Sequence, residues 1–153
     1  MMTISGMLPF IFTNSMVDIP STFFETMSGY TATGATILQD IESLPLGILF
    51  WRSMTHWIGG MGIIVLAVAI LPLLGIGGIQ LFSAEAPGPN NDKLHPRITD
   101  TAKRLWLIYV SFTFLEAILL SIAGMSIFDA VNHAMSTMAS GGFSTKNNSL
   151  AYW

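Results

Sequence analysis

Two short stretches rich in hydroxyls and glycine, MSGYTATGAT over 27–36 and MSTMASGGFST over 135–145, stand out in an otherwise oily chain. Small polar residues at this density pack a core poorly. What they supply is a close series of hydroxyl and carbonyl oxygens, on a backbone that glycine allows through positive φ. Oxygens arranged in that way replace the hydration shell of a cation. Gly34 and Gly142 would let successive carbonyls turn toward one axis. A plainer reading of the same residues is two Gly-rich turns that only join helices.

Other chemistries find less support. The chain has no cysteine, which removes thiolate metal sites and cysteine nucleophiles. Its three histidines, His56, His95 and His133, are scattered and lack metal-ligand spacing. The glycine pairs in WIGGMG and GIGG do not form the G-x-G-x-x-G of a dinucleotide site and suit close helix packing better. No nucleophile–base pair is visible, so neither an enzyme nor a cofactor is expected. A net charge of −3 gives no basic footprint for nucleic acid. The sequon at Asn147 (NNS) carries little weight in a chain read as prokaryotic.

The elements that must hold the two stretches are membrane elements. Of 153 residues, 52% are hydrophobic and only 10% charged, far below the roughly 25% charged of soluble domains, and the mean hydropathy is +0.61. The opening MMTISGMLPF has neither a basic start nor a long apolar run, so it does not read as a signal peptide. Trp57 to Leu74 runs without a charge, with Pro72 near its end, and is long enough to span a bilayer. Leu105 to Gly124 is a second span, interrupted only by Glu116, a carboxylate either functional or hydrogen-bonded between helices. The segment between them carries Lys93, Arg97, Lys103 and Arg104, four of the six cations, which places loop 75–104 in the cytoplasm. Both flanking ends then face outward, where Asp18, Asp40 and Glu42 add acidity.

Ile19 to Tyr30 is a much shorter apolar run, about 18 Å long as a helix, or roughly half a bilayer core of about 30 Å. Asp18 or Ser21 caps its start. The later run opens with SIFD, Ser126 to Asp129, the spacing of a capping box. Both short helices therefore begin at the outer side and stop near mid-membrane. Non-helical backbone at that depth is tolerated only where protein buries it or water lines it, and the partially negative helix C-termini favour a cation there. The register that lays Gly34 on Gly142 also lays Met27 on Met135, Ser28 on Ser136, Thr36 on Ser144, Asp18 on Ser126 and Ser21 on Asp129. The repeated unit reads outer helix, half-length helix, polar loop, inner helix. Glu25 and His133 fall on equivalent positions and are expected to support the loops from behind, while Arg52 and His56 are expected to anchor a helix at the membrane boundary.

Together FFETMSGYTATGAT, HWIGGMGI, AEAPGPNNDKLHPRITDTAKRLW and MSTMASGGFST resemble the TrkH branch of the Trk/Ktr/HKT potassium-transporter superfamily, over about Leu8 to Leu150. The resemblance implies an all-α polytopic membrane fold of membrane helix–pore helix–filter loop–membrane helix repeats, four of them around one pore. It implies potassium uptake, with potassium as the permeating ion, in the bacterial inner membrane. A homodimer and a cytosolic TrkA-like nucleotide-binding ring are the implied partners, alongside the lipid bilayer. Thr31, Ala32, Thr33, Gly34 and Ala35 would line one filter segment, and Ser140, Gly141, Gly142 and Phe143 another.

On this reading the first repeat occupies 1–74 without its outer helix, with pore helix 19–30, filter 31–36 and inner helix 46–74. The second occupies 105–153 without its inner helix, with outer helix 105–124, pore helix 127–139 and filter 140–145. That is about one and a half of four repeats, so the chain is expected to be part of a longer protein. The rival from another class is a non-conducting structural or assembly subunit whose loops only pack helices.

Overall fold

A computed structural model describes residues 2–16, 18–70 and 94–153. Among them the regular structure is helical: α1 (Met2–Phe12), α2 (Ile19–Tyr30), α3 (Leu46–Ile70), α4 (Leu94–Ile122), α5 (Ile127–Met138) and a short 3-10 turn at Ser149–Tyr152. Pro72, Lys93, the end of the predicted inner helix (71–74) and most of the predicted loop (75–93) lie outside the described residues.

These helices are turned inside out relative to a water-soluble core. In α2 the buried residues are Thr22, Glu25, Thr26, Ser28 and Gly29, while Ile19, Phe23, Phe24 and Met27 are exposed. In α4 the stretch Thr101–Ile122 is long and apolar enough to cross a membrane, yet in its most apolar 18-residue window, of mean hydropathy 2.0, only 6% is buried. Apolar side chains outside and polar ones inside suit a lipid surround, where an unsatisfied polar group costs several kcal/mol.

Two differences from the sequence expectations stand out. First, a helix not foreseen, α1 at Met2–Phe12, stands ahead of Ile19, although at 11 residues it does not amount to a membrane-spanning outer helix. With Pro9 inside it and only 11 residues, it is too short to be stable in isolation. Packing holds it instead. Met7 and Phe10 are buried, Gly6 lies so close to α2 that a Cβ there would stand 2.6 Å from the Tyr30 ring and 2.7 Å from Thr26, and the Trp51 indole of α3 donates to the Gly6 carbonyl at 2.9 Å. Second, the helix predicted over 105–124 runs from Leu94 to Ile122, so the connecting loop does not extend to 104. Hydropathy marks the part of a helix suited to lipid, whereas backbone hydrogen bonding continues through the charged turns before it. Pro96 sits in the first turn, where its missing N–H has no intrahelical partner to lose.

The two short helices start differently. Ser126 caps α5: its Oγ accepts from the Asp129 backbone N–H at 3.1 Å and donates to Asp129 Oδ2 at 2.7 Å. Ser21 Oγ donates to Asp18 Oδ2 at 2.7 Å, but the Asp18 side chain makes no capping hydrogen bond, and Pro20 follows it in the first turn of α2. α5 ends at Met138, one residue before the expected limit.

Candidate functional site

Both short helices end in the same backbone turn. After α2, Thr31 N–H donates to the Met27 carbonyl (2.9 Å), Ala32 to Gly29 (3.0 Å) and Thr33 to Ser28 (3.0 Å). After α5, Ala139 donates to Met135 (3.4 Å), Ser140 to Thr137 (2.8 Å) and Gly141 to Ser136 (2.9 Å). Every donor and acceptor of the second set is the counterpart of one in the first under the register that lays Gly34 on Gly142. The two later bonds in each set make a Schellman motif, which requires a left-handed residue just past the helix. Ala32 (φ 52°) and Ser140 (φ 58°) occupy that place, and two residues on, Gly34 (φ 78°) and Gly142 (φ 90°) are left-handed as well. A side chain in this region costs roughly 1–2 kcal/mol, so neither turn is a relaxed linker.

The two runs touch. A Cβ built on Gly34 would collide with the Gly141 carbonyl oxygen. Behind them stands α3. A Cβ on Gly59 would strike the Tyr30 carbonyl, one on Gly60 would come 2.9 Å from Ala139 Cα, and one on Gly141 would strike the His56 ring. Adjacent glycines of α3 thus lie against the C-terminal ends of both short helices.

The side chains that pin the loops are buried and polar. Glu25 and Arg52 form an ion pair at 2.8 Å with side-chain exposures of 0% and 1%. The Glu25 carboxylate also accepts from the Thr36 hydroxyl (2.9 Å) and the Ile37 N–H (3.1 Å). At the matching place in the second repeat, Ser144 Oγ lies 3.4 Å from His133 Nε2. Arg52 reaches further: Nη2 donates to Thr36 Oγ1 (3.2 Å), Nη1 to the Ser144 carbonyl (3.4 Å), and the guanidinium sits 4.1 Å over the Phe143 ring. His56 stacks on Phe143 as well, 3.9 Å between the ring centroids, with Nδ1 3.1 Å from Ser136 Oγ. Ser28, the counterpart of Ser136, instead donates to the Ala35 carbonyl at 2.6 Å.

The return segments of the two loops are also joined. Asn147 Oδ1 accepts from the Ile41 N–H (2.8 Å) and its Nδ2 donates to Asp40 Oδ1 (3.1 Å), while Lys146 approaches Glu42 at 3.7 Å. The Asn147 amide holds the Asp40 carboxyl below the usual carboxylate range. Thr145 Oγ1 donates to Asp129 Oδ1 at 2.6 Å, returning the second loop to the start of α5.

Of the nine residues singled out from sequence, Thr31, Ala32, Thr33, Gly34 and Ala35 form one turn and Ser140, Gly141, Gly142 and Phe143 the other, with contact at Gly34–Gly141. Arg52 and His56 were expected at a membrane boundary, but they are buried behind the loops at 1% and 0% exposure. The missed signal was available, since an arginine in an otherwise apolar helix requires a buried partner. Glu116 of α4 hydrogen-bonds Thr137, in the last turn of α5.

Two half-length helices that end in matched left-handed turns, backed by a buried ion pair and dressed in apolar surface, define a repeat-built membrane protein. The chain belongs to the family described as TrkH, cation transport protein, whose profile matches residues 2–153. It is 58% identical over 150 residues to the Trk system potassium uptake protein TrkH of Salmonella typhimurium, covering 97% of this chain and 31% of that protein. To Trk system potassium uptake protein TrkI of Halomonas elongata it is 42% identical over 143 residues, 94% of this chain and 29% of that one. The crystal structure of the potassium transporter TrkH from Vibrio parahaemolyticus superimposes with a TM-score of 0.83 at 46% identity, covering 99% of this chain and 30% of that structure. The chain therefore spans about a third of the length of these relatives.

Proposed function

We propose that this chain forms two of the loops that line the ion path of a potassium-uptake transporter in the bacterial inner membrane. Thr31 to Ala35 and Ser140 to Phe143 are the lining segments. The observation that carries this reading is the backbone repetition between the two turns, in which a strained left-handed non-glycine residue and a left-handed glycine recur in each. Strain of this sort is retained where surrounding structure enforces it and function uses it. Relatives at 58% and 42% identity named as potassium uptake proteins supply the ion. Potassium is cargo here, and permeation is passive movement through carbonyl-lined positions rather than a chemical step.

In the domain division that goes with this reading, α2 and α5 are the pore helices, α3 is an inner helix and α4 an outer one, with the segment between α3 and α4 on the cytoplasmic side. A homodimer and a cytosolic TrkA-like nucleotide-binding ring are the partners of the full-length protein. The test is rubidium uptake by the full-length transporter in cells lacking other potassium uptake. Gly34→Ser and Gly142→Ser should each lower uptake or the preference for rubidium over sodium, and Gly47→Ala, where an added Cβ meets nothing within 4 Å, should not. Wild-type uptake and preference in both serine variants would remove the assignment.

A further inference from the structure

We propose that Arg52 is a positioning residue for ion selection, fixing the spacing between the two lining loops by holding the same position in each. Positions 36 and 144 are equivalent in the repeat, and Arg52 donates from Nη2 to Thr36 Oγ1 at 3.2 Å and from Nη1 to the Ser144 carbonyl at 3.4 Å. The inference rests on the loops being the ion path. Within that reading it adds a residue that touches no ion and yet ties one loop to the next.

Three features separate this role from simple packing. The guanidinium is a planar fork of five donors, so it can engage two loops and a carboxylate at once, which an ammonium on a flexible stem does with far less geometric control. Its own orientation is locked: Nε donates to Glu25 Oε1 at 2.9 Å, Nη2 lies 2.8 Å from the same oxygen, and the guanidinium sits over the Phe143 ring. Finally, the contact spans a place where the loops already meet backbone to backbone, at Gly34 and Gly141. A cation cage made of carbonyls discriminates by the number and placement of its oxygens, so a clamp across that contact acts directly on the quantity that selects the ion. Glu25 has a second part in this arrangement, because it neutralises a cation that would otherwise repel the permeating one.

The test uses the full-length transporter, with membrane abundance verified for each variant and rubidium uptake measured with and without competing sodium. Arg52→Lys keeps the positive charge beside Glu25 but cannot fork to both loops. It should lower rubidium-over-sodium preference by about tenfold, roughly 1.4 kcal/mol in relative stabilisation of the two ions, with a smaller change in maximal uptake. Glu25→Gln should instead raise the apparent KM for rubidium, since it leaves the cation uncompensated. Thr36→Val removes one of the two anchor points and should shift preference in the same direction as Arg52→Lys, by less. Arg52→Lys with wild-type preference at wild-type abundance would overturn the proposal. Should Arg52→Lys fail to reach the membrane, Thr36→Val decides, and unchanged preference there overturns it equally. Gly34→Ser, run alongside, separates the two levels: lost preference in Gly34→Ser with wild-type preference in Arg52→Lys removes the clamp and leaves the ion path standing.

Discussion

At position 25 the first repeat carries a glutamate, and at the matching position 133 the second carries a histidine. Both are buried and both meet the hydroxyl that lies eleven residues on, Thr36 or Ser144. Glu25 is bound by a full ionic charge from Arg52, while His133 has a neutral contact at 3.4 Å. Yet the turns in front of them are superimposable in hydrogen-bond pattern and in the sign of φ at each left-handed residue. The difference teaches that the loop backbone is the invariant part of the unit. Its support is free to vary, provided that each buried polar group finds a partner.

The largest effect that would probe this contrast is loss of charge at one position against loss of a neutral contact at the other. Arg52→Leu leaves the Glu25 carboxylate buried without its counter-charge, which should cost about 3–5 kcal/mol of stability. His133→Leu should cost about 1 kcal/mol, the worth of an ordinary hydrogen bond plus its unmade partner. Thermal or denaturant unfolding of the solubilised full-length protein measures both. Equal losses would mean that the two supports are equivalent after all.

Next come the glycines. Gly34 needs both a positive φ and room for the Gly141 carbonyl, whereas at Gly142 an added Cβ meets nothing within 4 Å. Gly142→Ala should therefore cost only the conformational strain, roughly 1–2 kcal/mol, and Gly34→Ala clearly more, read as unfolding midpoint and as rubidium uptake. Matching losses would sharpen the comparison in another direction, since they would place a further backbone against Gly142 in the assembled transporter.

The helix starts differ by less. Ser126→Ala removes a capping hydrogen bond and should destabilise by about 1 kcal/mol, while Ser21→Ala, whose hydroxyl reaches only the Asp18 carboxylate, should cost a few tenths. Amide exchange at the first turns of α5 and α2 resolves the two. Smallest is the tie between the return segments. Because the Asn147 amide lowers the Asp40 pKa in the folded state, its contribution is fully present above the ordinary aspartate pKa and fades as pH falls through the lowered folded value. Asn147→Ala should weaken that acid dependence and raise the Asp40 titration toward the ordinary range, the Glu42 and Ser43 contacts remaining, as NMR titration of the carboxyl would show.

Much of this was legible from residue order. The short apolar run from Ile19 to Tyr30 marked a helix of half-bilayer length, the SIFD spacing marked the Ser126 cap, and the register of Gly34 on Gly142 aligned the turns. α1 was not legible, because a short helix containing Pro9 has no local signal strong enough, and its order comes from contacts with Tyr30, Thr26 and Trp51 that are distant in sequence. Hydropathy also hid the first turns of α4, since charged residues end a lipid-suited run without ending a helix. Arg52 was misjudged for a different reason. Its neighbours in sequence suggested a helix start near the membrane surface, and only the fold brings Glu25, Thr36 and Ser144 around it. Gly59, expected only to ease helix packing, is in contact with the Tyr30 carbonyl. The direction of a helix face relative to two loops is long-range information that a single sequence does not carry.

The glycine pair at 59–60 has a mechanical consequence. Because neighbouring residues of one helix bear on the ends of both α2 and α5, α3 works as a shared strut against which both turns rest at a point stripped of side chains. Slippage of that strut along its axis or a small roll about it displaces both bearings together. Fluctuations in the gap between the loops are then correlated rather than independent, and their breadth is that of one stiff body instead of two.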